Sequence, residues 1–258
     1  MLRFASLASG SKGNSLVAQS GGTSLLIDCG LNLRDAERRL ARLALAPSDI
    51  DAILVTHEHG DHACGVFDFA GAHGATVYLT HGSLVALKSE GKVIDGVRTA
   101  LLSGKERLAV GGIEVTPFTV PHDAREPVQY VLSDGAAKLG VLTDIGASTV
   151  HVEQVLSGLD ALVLECNYDS RMLWNGAYPA WLKTRIAGPL GHLDNLESER
   201  LLARLDRSRL KHLIGAHLSQ QNNRPELARA ALARAMGCEE TWIGLATQED
   251  GFGWRDLA

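Results

Sequence analysis

The sequence lacks the features that mark membrane proteins and disulfide-rich secreted proteins. No apolar stretch approaches the length of a membrane span, and the N-terminal residues contain no long apolar core of a signal peptide. Its four cysteines are far apart in sequence and form no CxxC pair, so we expect neither a disulfide framework nor a thiolate zinc site. These absences predict a cytoplasmic protein without a membrane partner.

An excess of positive charge is also missing. The chain has 25 Lys and Arg against 30 Asp and Glu, a formal net charge of −5, which argues against simple bulk attraction to a polyanion. This net charge does not exclude a local basic surface that binds a polyanion. The stretch 171–211 contains eight basic and four acidic residues, a net charge of +4, although arginines on solvated helix faces explain part of that excess equally well.

The sequence does contain enough apolar residues for a large core. With 258 residues, 45% of them hydrophobic, it fits one large domain or two small ones. Short apolar runs separated by turn residues predict strands, first in 2–27 and again in 107–142, and helical patterns follow each group. Because we find no linker and no repeat, we expect a single domain over 1–258, in which two sheets have helices outside.

One short stretch dominates the chemistry of the sequence. Residues 57–62 read His-Glu-His-Gly-Asp-His and follow an apolar run that is predicted to be a buried strand. Alternation along an extended chain directs His57 and His59 to the same side, where they can bind one ion. The glycine lets the backbone turn so that Asp61 and His62 can reach a second ion. Histidines at this spacing rarely arise from composition alone, and they predict a metal site.

Three further residues complete a set of metal ligands. His122, Asp144 and His217 each follow an apolar run that is predicted to be a strand. Each alone has a plainer explanation, as a surface histidine or a turn residue. Together with the cluster they fill a two-metal site in which Asp144 bridges both ions. The remaining ligands are His57, His59 and His122 for one ion, and Asp61, His62 and His217 for the other.

This order of residues, a His-x-His-x-Asp-His cluster followed by a lone His, an Asp and a final His, resembles that of the metallo-β-lactamase superfamily. The resemblance covers essentially the whole chain. It implies an α/β fold, a four-layer αββα sandwich with the metals at one edge of its two sheets. It says little about the substrate.

Further motifs narrow the resemblance to the YycJ/WalJ-like branch. They are residues 7–15 (Leu-Ala-Ser-Gly-Ser-Lys-Gly-Asn-Ser), 143–146 (Thr-Asp-Ile-Gly), 191–195 (Gly-His-Leu-Asp-Asn) and 217–223 (His-Leu-Ser-Gln-Gln-Asn-Asn). What is known of the branch implies a phosphodiesterase acting on nucleic acid, with exonuclease activity on DNA favoured, in the 5′ to 3′ direction. Around His192 and His217 the chain is also similar to the tRNA 3′-processing ribonucleases. Asp194 departs from the serine, and Tyr168 from the histidine, that the branch usually has at these places.

The ligand set also predicts a reaction. Two divalent ions would share a water, lower its pKa so that hydroxide forms near neutral pH, and hold the phosphodiester oxygens. His192 is not needed as a ligand, and we expect it to protonate the leaving oxygen as a general acid, while Asp61 orients the nucleophile. A histidine packed against its own helix is the plainer explanation of His192. Imidazoles and carboxylates without a thiolate favour zinc, with manganese next.

Four residues are predicted to contact the substrate. Lys183 and Arg185 lie in the basic stretch beside Trp181, where a nucleic acid strand could bind. Ser11 and Asn14 belong to a Gly- and Ser-rich loop whose backbone N–H groups could contact a phosphate, although tight turns explain its glycines equally well.

Two other functions stay open. A hydrolase of the same fold could act on a small ester, lactone or thioester, but such enzymes do not obviously need the element at Gly191 and His192. A metal-bound regulatory protein with a vestigial site is the second, and the complete ligand set argues against it. The roughly fifty residues between Asp144 and His192 leave no room for a large inserted domain, which favours a compact exonuclease. DNA is favoured over RNA, and the oligomeric state is left open.

Overall fold

The strands of residues 1–257, the part of the chain that the computed structural model describes, form two mixed sheets. The strands of the first sheet are β1 (Arg3–Ala8), β2 (Ser15–Ser20), β3 (Thr23–Ile27), β4 (Ala52–Leu54), β5 (Thr76–Leu79), β6 (Thr99–Leu101) and β14 (Phe252–Asp256). Their order across the sheet is β14-β1-β2-β3-β4-β5-β6. The neighbours from β14 to β3 are antiparallel, whereas those from β3 to β6 are parallel.

The second sheet is divided in the same way. Its strands are β7 (Leu108–Val110), β8 (Ile113–Thr119), β9 (Val128–Ser133), β10 (Lys138–Leu142), β11 (Ala161–Glu165), β12 (His212–Ala216) and β13 (Gly244–Leu245). Their order is β13-β12-β11-β10-β9-β8-β7. Hairpin neighbours from β7 to β10 are antiparallel, and crossover connections make β10 to β13 parallel.

Helices connect the parallel strands and cover the sheets. They are α1 (Leu33–Arg42), α2 (Gly60–Ala63), α3 (Val66–His73), α4 (His81–Ser89), α5 (Val150–Val155), α6 (Ser170–Asn175), α7 (Ala180–Ile186), α8 (Asn195–Arg204) and α9 (Pro225–Met236). Helix α1 begins after Asn32, whose side chain accepts a hydrogen bond from Asp35 N at 3.0 Å. No helix within 1–257 is both long and apolar enough to cross a lipid bilayer.

Three apolar clusters show how the layers stack. The central cluster joins side chains of both sheets, among them Phe4 and Leu54 of the first and Val115 and Leu139 of the second. A second cluster packs α1, α3 and α4 on the outer face of the first sheet, and a third packs α5, α8 and α9 on the outer face of the second. The layers therefore follow the order αββα, which confirms the predicted fold.

The sequence pattern of residues 62–72 predicts one helix, but the chain forms two there, α2 and α3, with a break at Gly65. Gly65 N donates to Cys29 O at 2.9 Å, and a Cβ at this position would lie 1.8 Å from Leu31 O. The break thus allows the chain after the histidine cluster to pack directly on the loop that follows β3.

Parallel pairing brings the chemically important residues to one edge. β10, β11 and β12 end next to one another, so Asp144, Glu165 and His217 lie close together. β4 of the other sheet ends nearby, and the Tyr130 hydroxyl of β9 donates to Val55 O at 2.6 Å. This buried hydrogen bond ties the second sheet to the start of the histidine cluster.

Candidate metal centre

Three histidine rings meet beyond the end of β4. His57 Nε2 lies 3.1 Å from His59 Nδ1, and that atom lies 3.3 Å from His122 Nε2. Ligand atoms about 2.0–2.1 Å from a tetrahedral zinc ion are about 3.3–3.4 Å apart, so this spacing suits one ion. His57 Nδ1 donates to Thr56 Oγ1 at 2.9 Å, and His122 Nδ1 donates to Gly191 O at 3.1 Å. These bonds place the ring proton on Nδ1 in both histidines, so that each Nε2 keeps a lone pair for the one ion that the three rings could bind.

The protonation of these rings suits metal binding. Burial lowers the pKa of His57 well below its usual range and also lowers the pKa of His122. Both rings are therefore neutral near pH 7, which is the form of imidazole that binds a metal.

A second cluster lies beside the first and shares Asp144 with it. His217 Nε2 is 3.3 Å and His62 Nε2 is 3.6 Å from Asp61 Oδ2. Asp144 Oδ2 is 2.8 Å from His62 Nε2, and Asp144 Oδ1 is 3.5 Å from His217 Nε2 and 4.0 Å from His122 Nε2. The two oxygens of Asp144 therefore reach ligand atoms of both clusters. The structure brings together all seven residues of the predicted ligand set.

The contact between Asp144 and His62 tests whether a cation fits here. Asp144 Oδ2 is buried and accepts no hydrogen bond, although His62 Nε2 is only 2.8 Å away. Burial alone would lower the pKa of His62, but the carboxylates of Asp144, Asp28 and Asp61 raise it well above its usual value. The carboxylates thus favour positive charge between these groups, and a divalent ion supplies it as well as a proton does. The imidazole nitrogens and carboxylate oxygens gathered here are therefore suitable ligands for a divalent cation.

Two buried carboxylates in this region were not predicted from the sequence. The first is Asp28, which follows β3 and is 2% exposed. It accepts hydrogen bonds from Thr56 N at 2.7 Å, from Thr56 Oγ1 at 2.8 Å and from His62 Nδ1 at 2.7 Å. The bond to Asp28 fixes His62 Nδ1 as a hydrogen-bond donor, so that His62 Nε2 is the ring nitrogen that faces the second cluster. Its only sequence signal was its place after a buried strand, which Asp144 shares.

The second is Glu165, the fully buried last residue of β11. Its carboxylate accepts from Asp144 N and Ile145 N, both at 3.1 Å, and from Leu193 N at 3.0 Å. His192 Nδ1 donates to the same group at 2.7 Å. With both oxygens occupied by N–H donors, Glu165 holds Asp144 and His192 in place and is not free to bind a metal itself.

His192 lies next to the clusters rather than within them. Its ring stacks on His217, with the centroids 5.4 Å apart and an angle of 16° between the planes. Burial disfavours the charged ring, but Glu165 and Asp144 outweigh it and raise the pKa of His192 to about 9. Because Nδ1 is bound to Glu165, Nε2 is the nitrogen available to the pocket, and it carries a proton at neutral pH.

Two of the proposed ligands lie on strained backbone. Asp144 has φ 56° and His217 has φ 55°, in the left-handed region that residues with a Cβ rarely adopt. Asp28 adopts the same conformation with φ 60°. Such residues cost roughly 1–3 kcal/mol each and persist where surrounding contacts hold them. Each of these three side chains is buried and bonded or paired within the site.

A pocket of about 360 Å³ opens onto these groups. Asp61 and His192 line it, as do the predicted substrate residues Ser11 and Arg185. Arg185 lies at the pocket with an exposed side chain, and its Nε donates to Asp123 Oδ2 at 2.6 Å. The pocket therefore presents a guanidinium group, a hydroxyl and the two metal-ligand clusters to one space.

Asn14 and Lys183 are placed differently from what we expected of substrate residues. Asn14 is 5% exposed, and its Nδ2 lies 3.3 Å from Asp61 Oδ2 and 3.1 Å from His62 Nε2. Its amide therefore supports Asp61 from behind. Lys183 does not line the pocket, and its Nζ donates to Trp174 O at 2.9 Å.

The two departures from the branch pattern leave the local structure intact. Asp194 caps α8, because its Oδ1 accepts from Glu197 N at 2.7 Å. Asp194 and Glu197 have the spacing of a capping box, but only half of it forms, since the Glu197 carboxylate pairs with Arg200. Tyr168 is buried, and its carbonyl accepts from Asn195 N at 2.9 Å. Both residues thus contribute to the start of the helix that follows His192.

Comparisons with known proteins agree with this geometry. The model of the beta-lactamase superfamily domain matches residues 23–217. The exodeoxyribonuclease YycJ of Bacillus anthracis is 35% identical over 244 residues, covering 95% of this chain and 92% of the relative. The exodeoxyribonuclease WalJ of Streptococcus pneumoniae serotype 2 is 32% identical over 246 residues, covering 94% and 91%.

A solved structure shows the same fold at low identity. The metallo-beta-lactamase fold protein YhfI of Bacillus subtilis superposes with a TM-score of 0.76 at 16% identity, covering 99% of this chain and 100% of that one. Because a family model matches most of the chain and relatives above 30% identity span it almost entirely, the chain is a metal-dependent hydrolase that belongs to the metallo-β-lactamase superfamily, in its YycJ/WalJ branch.

Proposed function

We propose that this protein is an exonuclease that hydrolyses the phosphodiester bonds of nucleic acid, with DNA preferred to RNA and degradation from the 5′ end. The observation that carries the proposal is the Glu165–His192 pair, which holds the ring of His192 at the pocket beside two clusters of metal ligands. The alkoxide that leaves a phosphodiester needs a proton, and a histidine at the pocket can supply it as a general acid. The two exodeoxyribonucleases similar over the whole chain support the same choice.

We assign two divalent cations to the site, zinc first and manganese second. One would be held by His57, His59 and His122, and the other by Asp61, His62 and His217, with Asp144 touching both. Imidazole nitrogens and carboxylate oxygens without a thiolate suit these ions. When bound, such ions lower the pKa of a water nucleophile and offset the negative charge of the phosphate.

The protein's own residues orient and protonate the reacting groups. Asp61 directs Oδ2 to His217 and Asn14, while Oδ1 makes no hydrogen bond to any residue of 1–257 and is available to orient a water. His192 Nε2 donates its proton to the leaving oxygen on the other side of the phosphate. Glu165 is a positioning residue, since it fixes the ring of His192 and favours its protonated form.

Two of the predicted substrate residues keep that role in our proposal. Arg185 offers its terminal nitrogens, which bond to no other residue of 1–257, to a phosphate oxygen. Ser11 offers a hydroxyl from the opposite loop. We assign Asn14 to support of Asp61, because it is buried, and Lys183 to the packing of α7 against α6.

Labelled oligonucleotides test the proposal directly. The protein, loaded with zinc or manganese, is offered 5′-labelled and 3′-labelled DNA and RNA as single strands and duplexes, beside a generic lactone and thioester. We expect release of nucleotides from the 5′ end of DNA, lost in Asp61→Ala and reduced roughly 100- to 10,000-fold in His192→Ala. His151→Ala, an exposed histidine of α5, is the matched control and should retain activity. Turnover of the lactone or thioester without cleavage of any nucleic acid would refute the nuclease.

A further inference from the structure

Most residues in the segment between β11 and His192 are exposed or half-buried. Within residues 170–190, which contain α6 and α7, only Leu173 is buried. Two tryptophans of the segment expose half or more of their surface, Trp174 at 51% and Trp181 at 67%. Large exposed aromatic rings are uncommon on a surface that binds only water, and they mark a contact surface when they lie close together with charged residues.

The charge of this segment indicates the class of partner. Residues 170–190 contain Arg171, Lys183 and Arg185 and no aspartate or glutamate, in a chain whose net charge is −5. A positively charged surface with exposed aromatic rings matches a polyanion whose monomers carry flat rings, which is the chemistry of nucleic acid.

The segment is fixed to the wall of the proposed active site. Leu182, Arg185 and Ile186 of α7 line the pocket. His192 N donates to Ile186 O at 2.9 Å, and a Cβ on Gly191 would lie 2.1 Å from the same oxygen, so the end of α7 packs tightly against the residues before α8.

Trp181 is placed one helical turn from the pocket. It precedes Arg185 by four residues, so the two side chains lie on the same side of α7 and about 6 Å apart along its axis. The bond from Lys183 Nζ to the main-chain oxygen of Trp174, at 2.9 Å, joins α7 to α6, the two helices that carry the exposed tryptophans.

We infer that Trp174 and Trp181 form a stacking surface for the unpaired bases of a single-stranded nucleic acid end, while Arg185 binds the phosphate that enters the pocket. The inference rests on the proposed nuclease function and adds the substrate class, single strands or frayed ends rather than blunt duplexes. Bases within a duplex already stack on one another, so they cannot lie on a protein ring without unpairing.

Substitution of the tryptophans separates this surface from the reaction itself. Trp174→Ala, Trp181→Ala, the double variant and Trp181→Phe are compared with Trp242→Ala. Trp242 is 40% exposed and lies with His212, at the opposite end of β12 from His217, and is therefore a matched control. Each protein is assayed on single-stranded DNA, on blunt duplex DNA and on a mononucleotide p-nitrophenyl phosphodiester, which has no neighbouring base to stack.

Stacking on aromatic residues predicts an increase in KM for single-stranded DNA of about 5- to 150-fold for each tryptophan removed. Trp181→Phe should retain most of the affinity, and hydrolysis of the p-nitrophenyl ester should not change. Binding of oligothymidylate to the metal-loaded, slowly cleaving His192→Ala protein should quench tryptophan fluorescence, and less so when Trp174 and Trp181 are absent.

An unchanged KM for single-stranded DNA in the double variant would overturn the inference, and so would a wild-type preference for blunt duplexes. If substitution instead converts a dimer to a monomer and leaves KM unchanged, this face is a subunit interface and the inference is also wrong. Failure of the proposed nuclease function gives a different result, because the wild-type protein then cleaves neither oligonucleotides nor the p-nitrophenyl ester. If oligothymidylate also leaves the tryptophan fluorescence unquenched, the proposed stacking surface is refuted as well.

Discussion

Replacement of Asp28 by asparagine should weaken metal binding although Asp28 touches no metal in our proposal. The carboxylate accepts three hydrogen bonds, two from Thr56 and one from His62 Nδ1. An asparagine has the same shape, but one of its two terminal atoms is an N–H donor. That donor must then face another donor, from Thr56 or from His62, inside a region that excludes water.

The size of the effect follows from the role of the lost bond. His62 Nε2 is directed at Asp144 only while Nδ1 is held as a donor. Loss of such a partner behind a metal-binding histidine typically reduces metal affinity about 10- to 100-fold, or about 1.4–2.7 kcal/mol. The unsatisfied donor adds a cost of about 1–3 kcal/mol to folding of the metal-free chain.

The assay is competition for zinc between the protein and a chromophoric chelator, with the zinc content measured by elemental analysis. Asp160→Asn is the matched control, because Asp160 is 3% exposed, accepts from Lys138 N at 2.9 Å and pairs with Arg209. It precedes β11, whose far end carries Glu165. If Asp28→Asn binds zinc as tightly as the wild type, or Asp160→Asn loses as much affinity, the assignment of Asp28 as the support of His62 is refuted.

Three further outcomes follow from the contacts of the site. Glu165→Gln should lower kcat about 10- to 100-fold and also weaken zinc binding, since it removes the charge that favours protonated His192 and sets an N–H donor against the main-chain donors around Asp144; unchanged kcat and zinc affinity would contradict both roles of this carboxylate. Tyr130→Phe should destabilise the protein by about 1–3 kcal/mol in urea denaturation, because Val55 O loses its buried donor; an unchanged midpoint would contradict this. Exhaustive chelation should abolish hydrolysis and lower Tm, with both restored by zinc, and activity that survives chelation would exclude a metal-dependent reaction.

The strands and the clustered histidines and acids were predictable because their signals are local. Short apolar runs between turn residues indicated most of the strands, and the histidine spacing in 57–62 predicted a metal site from six residues of sequence. His122, Asp144 and His217 could be added because each follows an apolar run, and parallel strands deliver the residues that follow them to one edge. The break at Gly65 was not predictable, since it depends on the close approach of a loop more than thirty residues earlier.

The support of the proposed ligands depends on contacts between residues that are distant in sequence. Asp28 is 34 residues from His62, and Glu165 is 27 residues from His192. In the sequence both look like ordinary acids near the end of a strand, and most such acids are exposed to solvent. Only the folded sheet shows that they are buried, and a buried carboxylate must be bonded to be tolerated.

These buried carboxylates also account for the strained backbone of the site. Asp144 adopts a left-handed conformation that costs roughly 1–3 kcal/mol, and its own N–H, together with that of Ile145, donates to Glu165 at 3.1 Å. Charge-assisted bonds of this kind contribute about 1.5–3 kcal/mol each, enough to offset the strain. Glu165 thus holds the proposed bridging ligand and the proposed general acid at once. Truncation of this one side chain should therefore disturb the position of Asp144 and the protonation of His192 together, whereas a change in His192 should leave Asp144 in place.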